Sequence, residues 1–165
     1  MKSIFRWMVT ALLWVALGAA QAQGNSVFQA FDGKQDSVEA HTGNGKWLVV
    51  MMWAHDCHVC NMEVEQYAHF HEAHADGDAS VLGISIDGLA AKARAEDFIR
   101  RHDVPFPNLI GASTGAVMHW YRQQTGANFL GTPTILVYAP DGSLKAAQAG
   151  AVPTETIEKF IADNS

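Results

Sequence analysis

The chain has no surplus of positive charge: 11 lysines and arginines stand against 17 aspartates and glutamates, a formal charge of −6 over 165 residues. Lacking a basic stripe, it has no electrostatic footprint for nucleic acid, and that partner class is excluded. It also lacks internal repeats, low-complexity tracts and an interdomain linker, so nothing divides it into several domains. After the first 20 residues no apolar run approaches the roughly 20 residues that a membrane-spanning helix needs. Cysteine is scarce, with Cys57 and Cys60 alone. Asn61, not histidine, follows the second of them, which excludes c-type haem attachment. Apolar residues are not scarce: they make up 48% of the chain, too many for a disordered composition.

The N-terminus has the three-part layout of a secretory signal. Lys2 and Arg6 precede the 13-residue apolar run "MVTALLWVALGAA", and "AQAQG" places small residues at Ala20 and Ala22. The expectation is a signal peptide over residues 1–22, cleaved after Ala22, and one domain over residues 23–165; an uncleaved anchor is the alternative. Cleavage removes Lys2 and Arg6 and takes the formal charge from −6 to −8.

Along the remainder, apolar patterning alternates between strand and helix periods. "SVFQAFDGK" reads as a short strand ending in the Asp32-Gly33 turn, and "HTGNGK" as a turn around Asn44-Gly45. "KWLVVMMW" has the unbroken apolar run of a strand buried on both faces. From the cysteines onward, "CHVCNMEVEQYAHFHEAH" holds no Gly or Pro and places Val59, Met62, Tyr67 and Phe70 near helical spacing, up to Gly77. "SVLGISID" is a second buried strand, "AAKARAEDFIRRH" an amphipathic helix, "VPFPNLI" an extended segment and "TGAVMHWYRQQ" a shorter helix. A hairpin turning at Asp141-Gly142 and a closing helix with Thr154 as its N-cap complete an α/β pattern with a sheet of mixed direction.

This placement puts Cys57 between a buried strand and the first turn of a helix, where unpaired N–H groups and the helix dipole favour a thiolate. Cys60 follows one turn further in. A two-residue spacing lets both sulfurs face the same helix end, close enough to join and exchange. Metal binding is the competing reading, because His55, Cys57, His58 and Cys60 are all zinc or copper ligand types and His69, His71 and His74 follow. On a helix only His71 and His74 of that trio share a face, and the stretch reads as mostly solvated surface.

The ordered series "FDGK", "GKWLVVMMWAHDCHVCNME", "VLGISID", "FIRRHDVPFPNLI" and "GTPTILVYAPDGSL" resembles the thioredoxin-like superfamily, and within it the TlpA-like periplasmic thiol–disulfide oxidoreductases. The resemblance implies a thioredoxin-like α/β fold with a central mixed sheet flanked by helices. It implies exchange of a Cys57–Cys60 dithiol/disulfide with protein substrates, with Cys57 attacking and Cys60 resolving, and no metal or organic cofactor. It further implies a cis Thr132–Pro133 bond beside the disulfide, with Thr132 offering backbone hydrogen bonds to an extended substrate segment. The role implied is that of a periplasmic reductase supplied by a membrane dithiol transporter; the alternatives are an oxidase of secreted proteins and, further off, a copper-delivery protein. Three positions depart from the family: Asp56 replaces an aromatic residue, Met51 stands where thioredoxin has a buried aspartate, and His58-Val59 separates the cysteines.

Charge around the pair points in both directions. Asp56 disfavours a thiolate on Cys57, whereas a protonated His55 or His58 favours it, and His58 is the better placed. His55 and Asp56 read as loop residues shaping a substrate surface, and Trp53 as a shield of the disulfide and part of the substrate-binding set with His58, Thr132 and Pro133. Glu63 matches a family glutamate three residues after the second cysteine. Helical spacing puts it one turn from Cys60, as a base for the resolving thiol.

Overall fold

The computed structural model describes residues 27–165, so the expected signal peptide lies outside the described residues. Seven strands form one sheet. β1 (Phe28–Ala30) turns through Asp32-Gly33 into β2 (Gln35–Asp36), and β3 (Trp47–Trp53) leads to α1 (His58–His74). β4 (Ala79–Ser85), α2 (Lys92–Arg101), β5 (Asn108–Gly111), α3 (Thr114–Thr125), β6 (Thr134–Tyr138), β7 (Leu144–Ala149) and α4 (Thr154–Asn164) follow. The spatial order is β2-β1-β5-β4-β3-β6-β7. β3, β4 and β5 run parallel, while β1, β2, β6 and β7 join antiparallel. The sheet is mixed, as the patterning predicts.

β3 is buried along its whole length because both faces of the sheet are covered. Its side chains alternate between two cores. Trp47, Val49, Met51 and Trp53 pack with Val64, Tyr67 and Phe70 of α1, Phe98 of α2 and Ile157 and Ile161 of α4. Leu48, Val50 and Met52 pack on the other side with Val117, Trp120 and Tyr121 of α3. Three helices therefore cover one face and one helix the other.

The parallel direction of β3 and β4 brings their C-terminal ends together, and antiparallel β6 begins at that same end. Met52 pairs with Thr134, so continuing the register sets Pro133 opposite Trp53. Among the described residues no helix is long and apolar enough to cross a membrane.

Two local expectations are corrected. Met62 is 58% exposed, because α1 buries Cys60, Val64, Tyr67, Ala68 and Phe70 instead; a spacing count from Val59 is out of phase with the face that meets the sheet. Thr154 is not the N-cap of α4. Pro153 occupies that position, Thr154 is buried in the first turn, and its N–H donates to Gln66 Oε1 on α1 at 3.0 Å. A side chain on another helix thus fills the capping role that the local sequence assigned to a threonine.

Candidate active site

Cys57 is the N-cap of α1. Its Sγ accepts the Cys60 backbone N–H at 3.0 Å, so a hydrogen bond that a serine oxygen would ordinarily take goes to sulfur. The two cysteines form a disulfide with Cα atoms 5.2 Å apart. Cys60 is 0% exposed and belongs to the core cluster, whereas Cys57 is only partly buried at its edge, so the pair is sided.

The turn leading into the disulfide is held from two directions. Cys57 N donates to Ala54 O at 3.2 Å, which makes His55 and Asp56 the middle of a tight turn. On one side Asp87, which follows β4, accepts the His55 backbone N–H at 3.0 Å and lies 2.7 Å from His55 Nδ1. Ser85 Oγ donates to the same carboxylate at 2.8 Å. On the other side Asn61 Nδ2 donates to the Cys57 carbonyl at 2.8 Å, while its Oδ1 accepts from His102 Nε2 at 2.9 Å. Burial and the neighbouring Arg101 cation hold His102 below the usual imidazole value, against the opposing Glu65.

His55, Asp56 and Asp87 bring ligand-type atoms within 4.8 Å of one another. The His55 ring and the Asp87 carboxylate are bonded to each other, and Ser85 donates to the same carboxylate, so these three form a hydrogen-bonded cluster with the exposed Asp56 beside it. His58 stands apart from it, exposed at the first residue of α1. The later histidines are not simply solvated, in contrast to the expectation of a mostly solvated stretch. His71 Nδ1 accepts the Val81 N–H at 3.1 Å, and His74 stacks on Phe70 and pairs with Asp78 and Glu158; only His69 of the three is exposed. Tertiary packing on β4 and α4 engages them, and helical spacing alone carries no information about those neighbours.

Glu63 lies one turn beyond Cys60 and is partly buried. Gln66 Nε2 donates to its carboxylate. Burial first, and the Glu63 charge second, hold the Tyr67 hydroxyl well above its ordinary range, so it stays protonated and donates to Val152 O at 2.8 Å. Glu63 therefore faces protein groups as well as solvent.

Trp53 is 1% exposed, stacked on Phe98 with ring centroids 4.2 Å apart, and donates from Nε1 to Asn108 Oδ1 at 3.0 Å. It is placed as a core residue. The Thr132–Pro133 bond is cis. Thr134 Oγ1 donates to Gly131 O at 2.6 Å and Gly150 N to Pro133 O at 2.8 Å, which fix this loop from both flanks, and Leu130 just before it is 83% exposed.

Asp87 and Asn61 are the site residues that sequence reasoning missed. Asp87 had a usable signal, since it follows a buried strand running parallel to β3, at the strand ends where α/β folds gather their chemistry. Asn61 had none beyond its place after Cys60.

The AhpC/TSA family model matches residues 22–147. No curated protein matches the chain in sequence. Among solved structures, the thioredoxin domain of a thiol-disulfide oxidoreductase from Bacteroides vulgatus is 20% identical, covers 80% of this chain and 89% of its own, and superposes with a TM-score of 0.65. A thiol-disulfide isomerase from Corynebacterium glutamicum is 19% identical, with 84% and 91% coverage and a TM-score of 0.66. A secreted disulfide oxidoreductase from Mycobacterium tuberculosis is 19% identical, with 81% and 92% coverage and a TM-score of 0.61. These likenesses establish a thioredoxin-like fold.

Proposed function

From the premise that the chain belongs to the AhpC/TSA family, we propose that it is a thioredoxin-like thiol–disulfide oxidoreductase acting in the periplasm as a reductase of protein disulfides. The observation that carries the reading is the sided pair, a partly exposed Cys57 at a helix N-cap joined to a fully buried Cys60.

In the reduced protein the Cys57 thiolate attacks a substrate disulfide, forming one S–S bond as the substrate's breaks, and the departing substrate thiolate takes a proton from water. Cys60 then loses its proton and attacks Cys57 Sγ. The second substrate sulfur leaves as a thiolate, and the Cys57–Cys60 disulfide remains. A dithiol donor, such as a membrane dithiol transporter, restores the reduced state by the same exchange. Glu63 serves as the base for Cys60, and the loop of Thr132 and Pro133 together with His58 forms the surface that receives an extended substrate. Support for the compartment comes from the N-terminal signal pattern and from the secreted relative in Mycobacterium tuberculosis.

The test is trapping. Cys60→Ser accumulates mixed disulfides with substrate proteins, and Cys57→Ser accumulates few, because the remaining sulfur is buried. Equal trapping by both variants removes the division of labour. The equilibrium potential decides the direction: a value near thioredoxin's roughly −270 mV supports reduction, and one near roughly −120 mV supports an oxidase instead.

A further inference from the structure

The cluster beside the attacking cysteine exceeds what holding a turn requires. The Asp87 side chain is only 6% exposed, yet it takes up both the main-chain N–H and the ring of His55. A carboxylate on Nδ1 fixes that ring's tautomer and direction and leaves Nε2 free to gain or lose a proton. Asp56 adds a second carboxylate within 4.8 Å. When the ring carries its second proton the trio bears a net charge of −1, and when it does not, −2. Cys57 follows Asp56 in the same turn, its N–H bonded to Ala54 O.

We propose that Asp87 is a positioning residue that holds His55 beside the attack turn, so that protonation of His55 and ionisation of the Cys57 thiol favour each other. The His55 ring forms no bond to sulfur in this scheme; the thiol proton leaves to water, and the ring's charge lowers the cost of the thiolate left behind. Other charged or titratable groups near the turn, among the described residues, include His58 and Glu63 on α1 and, beyond Asn61, Arg101 and His102 at the end of α2. Two of these are single rings outside the trio, and Arg101 keeps its charge throughout, so the step assigned to His55 is separable from them by substitution. The inference rests on Cys57 being the attacking thiol.

The experiment is the pH dependence of Cys57 alkylation by iodoacetamide in the reduced full-length protein, which reads thiol ionisation with no substrate present. His55→Asn keeps a donor toward Asp87 and removes the titrating ring; its alkylation midpoint rises by about one pH unit. In the Asp87→Asn background the same His55→Asn change moves the midpoint by less than half as much, which a merely structural clamp does not produce. An unchanged or lowered midpoint in His55→Asn overturns the proposal, and an equal effect in both backgrounds removes Asp87 from it. The parent protein supplies a second measurement should a variant fail to fold: by reciprocity, the His55 ring signals in NMR change at a higher pH in the reduced than in the oxidised form, and identical titration in the two forms overturns the coupling. Failure of mixed-disulfide trapping with intact alkylation behaviour counts against the exchange reading and leaves this one standing.

Discussion

Glu63 and Cys60 occupy adjacent turns of one helix, and the resolving step depends on what lies between them. Cys60 is fully buried, and a thiol in apolar surroundings resists ionising from an ordinary value already near 8.5. Glu63 is partly buried, with Gln66 donating to its carboxylate, and the role proposed for it is to take the Cys60 proton. Glu63→Gln keeps the shape and removes the base. The expected outcome is normal folding, formation of the Cys57 mixed disulfide at the parent rate or faster, and resolution slowed about tenfold or more. Stopped-flow measurement of the two steps from pH 5 to 9 checks it, and equal resolution rates exclude the role. Sequence reading singles out Cys57, Cys60, Glu63 and Pro133 because each is tied to a local motif. It misses Asp87 and Asn61, because their roles consist of contacts across 32 residues of chain to His55 and across the α1–α2 gap to His102.

At the scale of elements, the end of β3 depends on its neighbour having no side chain. Gly83 on β4 leaves the space in which Trp53 Nε1 meets Asn108: a Cβ there would stand 1.8 Å from Asn108 Oδ1 and 3.0 Å from Trp53 Nε1. Gly83→Ala therefore breaks that hydrogen bond and displaces Trp53 from its stack on Phe98. We expect a stability loss of about 2–3 kcal/mol, combining overpacking with a buried donor left unpaired. Chemical denaturation followed by tryptophan fluorescence measures it, and a loss below about 0.5 kcal/mol rejects the account. The strands and helices themselves are legible from apolar period, as β3 and the Gly142 hairpin illustrate. The start of α4 is not legible, because Gln66 of α1 supplies what the local sequence attributes to Thr154.

For the whole molecule, two partly buried imidazoles contribute to the response to mild acid. Burial depresses His71, opposed by Glu72, and His71 must stay unprotonated on Nδ1 to accept the Val81 N–H. His102 is depressed by burial and Arg101. A depressed histidine binds its proton more readily in the unfolded chain, so the stability it supports is complete above the unfolded value near 6.5 and is lost as pH falls through it toward the lower folded value. The lowered aspartates, Asp78 and Asp97 among them, act in the same direction but only below about pH 4. The denaturant midpoint accordingly falls between pH 7.5 and 5.5, and His71→Gln, which keeps an acceptor but does not titrate, falls less; parallel curves for variant and parent refute the assignment. The two sulfur chemistries of the chain are also unequally sheltered. Met51 and Met52 are sealed in the sheet at 0% exposure, whereas Met62, two residues past Cys60, is 58% exposed and Met118 40%. Under peroxide the thioether of Met62 becomes a sulfoxide long before those of β3 do. Peptide mass mapping should find the polar product at Met62 and Met118 first, with the far-ultraviolet dichroism unchanged. In an oxidising environment this protein would age from its exposed thioethers on α1 and α3, growing polar at the surface while the sheet beneath stays intact.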